Sequence, residues 1–242
     1  GLVGESGSGK SICAQAIMGL LPKPAARMTI GKVFLNGERI DHNPAALQAA
    51  RGKRIALIFQ EPMAALNPVQ TVGAQLTETF ALHFPAMTAD QARQRSIELL
   101  AQVGVSEPEQ RLHAYPHQLS GGLCQRVMIA MALAGEPDIL IADEPSTALD
   151  VTTQRQLLEL LQQLQQQHGM AVIFITHDLA LVANWCQRVA VLQHGRLCEI
   201  ADTQQLFTNP QHAYTRHLLD ALRDDSPQAA GDRDFPVLLA VR

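Results

Sequence analysis

The rhythm of apolar and polar positions changes several times along the 242 residues. Between Ala25 and Phe59, short apolar stretches alternate with turns. Thr29 to Leu35 is rich in β-favouring residues and runs into Asn36-Gly37, a hairpin-turn pair. Ile55 to Phe59 is a compact apolar run of the kind a buried strand shows. From about Thr71 to Glu109 the period becomes helical. Thr88-Ala89-Asp90-Gln91 has the form of a capping box, and Ile97, Leu100 and Val103 follow at helical spacing. From Asp138 onward strand and helix alternate. Ile139 to Ala142 predicts a strand, Val151 to Gln167 a helix with Leu157, Leu160, Leu161 and Leu164 on one face, and Ala171 to Ile175 another strand. The glutamines from Gln162 to Gln167 then fall on a solvated helix face and need no low-complexity reading. Strands separated by helices predict a parallel sheet with helices on its faces.

Composition narrows the classes. Apolar residues make up 47%, which excludes wholesale disorder. Lys and Arg number 19 against 23 Asp and Glu, and a net charge of −4 lacks the basic footprint of a nucleic-acid binder. The longest apolar stretches, Val127 to Gly135 and Met170 to Ile175, fall short of the ~20 residues that span a bilayer. Cys13, Cys124, Cys186 and Cys198 have neither metal-ligand spacing nor a tight disulfide pattern, as in a reducing cytosolic compartment. Arg223 to Asp234 is polar and reads as a linker, and Phe235 to Arg242 has the apolar, β-favouring character of a strand. The chain opens at Gly1 with almost no lead-in to a glycine-rich motif, so a preceding strand is expected to be missing.

That motif is Gly4-Glu5-Ser6-Gly7-Ser8-Gly9-Lys10-Ser11, which fits the phosphate-binding loop at every fixed position. Its glycines let backbone N–H groups turn in on phosphates where a side chain would clash, and the helix entered at Ile12 offers its positive end to the same anion. Lys10 brings a charge to the phosphates, and the Ser11 hydroxyl can ligate Mg²⁺. Such a match arises by chance at about one position in thirty thousand. Further on, Ile139-Leu140-Ile141-Ala142-Asp143-Glu144 ends an apolar strand in two acids at the sheet edge where ligands bind. Asp143 is placed to hold Mg²⁺ and its waters, and Glu144 to polarise an attacking water.

Leu119-Ser120-Gly121-Gly122-Leu123-Cys124-Gln125-Arg126 resembles the signature motif of ATP-binding cassette ATPases. With Gln60 after the strand ending at Phe59, Ser146 to Asp150 after the acids, and His177 after Ile173 to Thr176, the motif order resembles that family from Gly1 to roughly Leu222. Leu123 and Cys124 depart from the polar residues usual at two variable positions, which are not expected to touch phosphate. The resemblance implies a P-loop NTPase core with a mostly parallel sheet, an antiparallel β portion and a helical subdomain at about 70–126. It divides the chain into a nucleotide-binding domain over 1–222, a linker over 223–234 and, over 235–242, either the opening strand of a second cassette or a C-terminal tail that packs back on the domain.

The resemblance also implies roles. Ser120, Gly121 and Gly122 would meet the γ-phosphate of ATP held by an opposing cassette. Gln60 would join the Mg²⁺ and water network, His177 would hold the γ-phosphate and attacking water, and Asp150 would couple the two sites. The adenine would ordinarily stack on an aromatic residue upstream of the loop, so this chain is expected to bind ATP more weakly than one that carries it.

Phe59 to Met63, Leu66-Asn67-Pro68, Tyr115 to Leu119 and Asn209 to Thr215 look like the oligopeptide, dipeptide and nickel importer branch, in particular the N-terminal half of tandem-cassette peptide or glutathione importers. The implied activity is ATP hydrolysis coupled to uptake through a permease, with a substrate-binding protein acting indirectly, at the cytoplasmic face of a bacterial inner membrane. The competing reading is a soluble, non-transport cassette acting on ribosomes or DNA. The absence of a long coiled-coil insertion between Gln60 and Ser120, with the acidic charge, weighs against DNA.

Overall fold

The computed structural model describes residues 1–224, apart from Ile30 and Ala148. Among the described residues eight strands are formed: β1 (Leu2–Val3), β2 (Phe34–Leu35), β3 (Glu38–Arg39), β4 (Ile55–Ile58), β5 (Ile139–Asp143), β6 (Ala171–Thr176), β7 (Arg188–Gln193) and β8 (Arg196–Asp202). Six of them make one sheet in the order β4-β5-β6-β1-β7-β8, and β2 pairs with β3 separately. Every neighbouring pair in the large sheet is parallel except the β7–β8 hairpin. This is the mostly parallel α/β sheet with an antiparallel portion that the sequence predicts.

The short strand β1 lies in the middle, parallel to β6 on one side and to β7 on the other. Strands buried on both faces read as continuous apolar runs, and Leu140, Ile141 and Ala142 are fully buried. On one side of the sheet, the helices Val72–His83, Ala89–Gln102 and Gly121–Leu133 pack Leu76, Phe80, Leu99, Leu100, Val127 and Ile129 into the largest core. The capping box forms as predicted: the Thr88 hydroxyl accepts from Gln91 N at 3.3 Å and Thr88 N donates to the Gln91 side chain at 2.9 Å. The helix Val151–His168 starts at Asp150, ends at Gly169 in the left-handed region (φ 63°), and buries Leu157, Leu158, Leu160, Leu161 and Leu164. No helix among the described residues is long and apolar enough to cross a membrane.

Two expectations need correction. Among its described residues, the strand expected over Thr29 to Leu35 forms at Phe34 and Leu35, across a turn whose Asn36 (φ 50°) and Gly37 (φ 82°) have the left-handed conformation of a type I′ hairpin. At Val33 the ladder is half made: Val33 O accepts from Ile40 N at 2.9 Å, while Val33 N donates to the Asp41 carboxylate at 2.7 Å. Arg39 bonds the same carboxylate at 2.9 Å and, with Val33 N, holds it well below the usual carboxylate range. At the other end, Arg223 and Asp224, expected to open a linker, instead complete the helix Ala213–Asp224, because Tyr214 and Leu219 bury in the core of Val3, Val189 and Val191 and carry the helix onward. The rest of the expected linker and the strand over 235–242 lie outside the described residues.

Leu164, 1% exposed, sits at the heart of the long helix's apolar face. Leu164→Ala should cost 2–5 kcal/mol, roughly the range for emptying a packed leucine site, read as a lowered denaturant midpoint.

Candidate functional site

Register assembles the site before any side chain does. Ile58 pairs with Ala142, Ala142 with Phe174, and Val3 with Thr176. Counting two residues on from the first two pairs brings Gln60, Glu144 and Thr176 to one level, and one residue on from the third brings Gly4 level with His177. Four widely separated segments therefore leave the same edge of the sheet together, the edge at which ligands bind in open α/β folds.

The loop from Gly4 to Ser11 leaves β1 under backbone constraint. Gly4 (φ 153°), Gly7 (φ 79°) and Gly9 (φ 101°) have conformations that side chains disfavour. At Gly4 space forbids one as well, because a Cβ there would come 2.2 Å from the Leu192 carbonyl oxygen. Lys10, buried at the first turn of the helix Lys10–Ile17, bends back so that Nζ donates to Gly4 O at 2.8 Å and Glu5 O at 3.0 Å. Ser8 is buried, and its hydroxyl has no hydrogen-bond partner among the described residues. Glu5, Ser6 and Gly7 are exposed at the tip, and the Ile12 side chain points outward, 49% exposed. Gly4, Glu5, Ser6 and His177 line a cavity of about 280 Å³ together with Leu179 and Leu218.

The two acids after β5 meet different surroundings. The Ser11 hydroxyl donates to Asp143 Oδ1 at 3.0 Å, joining the loop to the acid strand. Burial raises the Asp143 pKa, the Ser11 bond pulls it down, and adjacent Glu144 pushes it up again. Glu144 adopts a left-handed φ of 44° and fixes its N–H to Ile175 O at 2.9 Å. Its Oε2 accepts from Gln60 Nε2 at 3.2 Å and from the Thr147 hydroxyl at 2.9 Å. Its Oε1 lies 3.3 Å from His177 Nδ1, which therefore carries the proton as donor to the carboxylate. Gln60, Glu144 and His177, three residues singled out separately in the sequence, share one carboxylate.

Ser120, Gly121, Gly122 and Asp150 stand apart. Ser120 caps the helix Gly121–Leu133, its hydroxyl accepting from Leu123 N at 3.3 Å. Asp150 caps the next long helix, with Oδ1 accepting from Thr152 N and Thr153 N at 3.0 Å each, and the bonds to Thr153 lower its pKa. Among the described residues no hydrogen bond joins these four to the phosphate loop. Gly121 instead faces, with Gln60, Met63, Gln125 and Leu149, a cavity of about 270 Å³.

The sequence reading missed three participants. Thr147, inside the Ser146 to Asp150 segment, donates to Glu144. Gln125 of the signature segment donates from its side chain to the Pro145 carbonyl, next to Glu144. Tyr214 accepts from Glu5 N at 3.2 Å across 209 positions, a pairing that no local pattern signals.

A glycine-rich loop leaving a central parallel strand, with an acid-ended strand bonded to its serine, defines a P-loop NTPase core. The ABC transporter family profile matches residues 1–147. The peptidoglycan transport ATP-binding protein YejF of Agrobacterium fabrum is 55% identical over 98% of this chain and 43% of its own length. The dipeptide transport ATP-binding protein DppD of Escherichia coli is 48% identical over 97% of this chain and 70% of its own. A dimeric ATP-binding cassette in a post-hydrolysis state, bound to ADP and Pi, superposes with a TM-score of 0.72 at 30% identity over 84% of each chain. The chain belongs to the ABC transporter family, and it spans less than half the length of the Agrobacterium relative.

The Asp143 environment predicts a stability change. An acid whose pKa rises on folding binds its proton more tightly in the fold, so its ionised form weakens the fold. That weakening is complete above the folded pKa and absent below the unfolded value of about 3.9. Asp143→Asn keeps an oxygen for Ser11 and removes the charge. It should raise the nucleotide-free melting temperature at pH 7 by ~1–4 °C, with the gain vanishing below about pH 4, in melts recorded from pH 3 to 8.

Proposed function

We propose that this chain is an ATP-hydrolysing cassette of an importer for peptides or related small solutes, docked on permease subunits at the cytoplasmic face of a bacterial inner membrane. The observation that carries the hydrolytic part is the Glu144 carboxylate, gripped by Gln60, Thr147 and His177 at the edge where the phosphate loop begins. The transport part is supported by the names of relatives, which include peptide and dipeptide transport ATP-binding proteins.

On this reading the loop amides and Lys10 bind the phosphates of ATP, Lys10 exchanging two backbone carbonyls for phosphate oxygens. The orphaned Ser8 hydroxyl and the glycines of the cradle fit an anion that supplies the missing partner. Ser11 and Asp143 form an oxygen pair suited to Mg²⁺, which when bound would neutralise charge on the phosphates. Glu144 orients a water and accepts its proton as the water oxygen attacks the γ-phosphorus, giving ADP and phosphate. Gln60 and Thr147 hold the carboxylate in place. His177 holds it from Nδ1, leaving Nε2 for a phosphate oxygen.

Ser120, Gly121 and Gly122, which make no hydrogen bond to this loop among the described residues, serve the ATP of a second cassette, with Asp150 at the junction. A fused partner cassette agrees with the length of the Agrobacterium relative, more than half of which lies outside the match. A substrate-binding protein selects the solute on the far side of the permease.

Glu144→Gln preserves the side chain's shape and its acceptor oxygen but cannot take a proton. Phosphate release should fall by ~10²–10⁴-fold while ATP titration shows retained binding, and turnover near that of the unaltered chain would exclude Glu144 as the base.

A further inference from the structure

The Gly4–Glu5 peptide unit is held from both sides. Its carbonyl oxygen accepts from Lys10 Nζ at 2.8 Å, and its N–H donates to the Tyr214 hydroxyl at 3.2 Å. Tyr214 is itself fixed. It is 6% exposed and packs in the core of Val3, Val189 and Leu219. The turn before it is tied to β8, where the Glu199 carboxylate accepts from Gln211 N at 2.8 Å and His212 N at 3.0 Å, and His212 Nδ1 accepts from Tyr214 N at 3.2 Å. Burial and the nearby Glu5 carboxylate raise the phenol's pKa and keep its proton on.

We propose that Tyr214 is a positioning residue for nucleotide binding: from the last described helix it fixes the orientation of the Gly4–Glu5 peptide at the start of the phosphate loop. The proposal rests on the nucleotide reading above. Gly4 runs so close to the Leu192 carbonyl that a Cβ would not fit, and the motion that would most alter this peptide's contacts is rotation. A rotation would turn the carbonyl away from Lys10 and the N–H into the loop. Lys10 restrains that rotation only while it stays on the carbonyl. Once phosphate draws the ammonium away, the bond to Tyr214 is the remaining side-chain restraint described on the unit. The three positions Gly4, Glu5 and Tyr214 thus link the start of the phosphate loop to the turn anchored on β8.

Tyr214→Phe deletes the hydroxyl and keeps the buried ring. In the 242-residue chain, the dissociation constant and KM for ATP should rise about three- to tenfold, the effect of one net hydrogen bond, while kcat stays within about twofold. The Glu5 amide should exchange faster with solvent in the nucleotide-free variant. A purely structural tyrosine would lower the melting temperature and leave the split between KM and kcat untouched. An unaltered chain that binds ATP, beside a Phe variant that binds it equally tightly, overturns the role of Tyr214 alone. An unaltered chain that binds no ATP overturns the nucleotide reading and this inference with it.

Discussion

Parallel register at one sheet edge is the constraint on which everything else here depends. A one-residue slip in a parallel pair would send every side chain to the opposite face and force both cores to repack, so the pairing of Ile58 with Ala142, of Ala142 with Phe174 and of Val3 with Thr176 is held by close packing on both faces. Chemistry then follows by counting along the chain. Gln60, Glu144 and His177 come from three strands and could be scattered by a single slip, yet they converge on one carboxylate because the apolar runs beneath them are locked. The site is an edge effect of the core.

Two adjacent acids show how finely that edge separates roles. Asp143 is the last residue of β5, still partly within the sheet, where burial opposes its charge and the Ser11 hydroxyl offsets that opposition. Glu144 is one step outside, in a left-handed conformation that a non-glycine residue adopts at a cost. The N–H bond to Ile175 O and the three groups on its carboxylate hold it there. The strained turn swings Glu144 away from the direction of its neighbour. One acid faces the loop serine and the other faces glutamine, threonine and histidine.

What could be read from the sequence follows the range over which each interaction acts. The phosphate loop, the Thr88 capping box, the Asn36-Gly37 turn and the leucine face of the long helix are set by residues within a few positions of one another, and their patterns were visible. The ladder expected from Thr29 is only half made at Val33 because Asp41, eight residues beyond it, takes the backbone donor, and β-propensity carries no information about that competitor. The fourfold clustering at Glu144 could be divided into parts but not assembled, since Gln60 and His177 meet it only through the order of strands in the sheet. Thr147 was in view as a motif letter without a partner. Tyr214 stood in a segment noted for its likeness to a branch of the family, and its bond to Glu5 depends on a helix packing back across the whole chain.

On the proposed reading, Asp150 and Ser120 each serve local structure and nucleotide chemistry at once. Each caps a helix with its side-chain oxygen, a role that alone would account for its residue type. Capping also orders what comes after: at Ser120 it sets the first turn of a helix, with Gly121 exposed and no described atom beyond that turn within 4 Å of where a Cβ would stand on Gly121 or Gly122. Open backbone at a helix N-terminus, free of side chains and facing solvent, is the arrangement that admits an anion from outside the chain. The phosphate loop has the opposite character, with its lysine folded onto its own carbonyls and its first glycine pressed on β7. On the proposed reading the asymmetry is the reason for pairing: the inward-facing half fixes where the phosphates lie, and the outward-facing half of another cassette completes their enclosure.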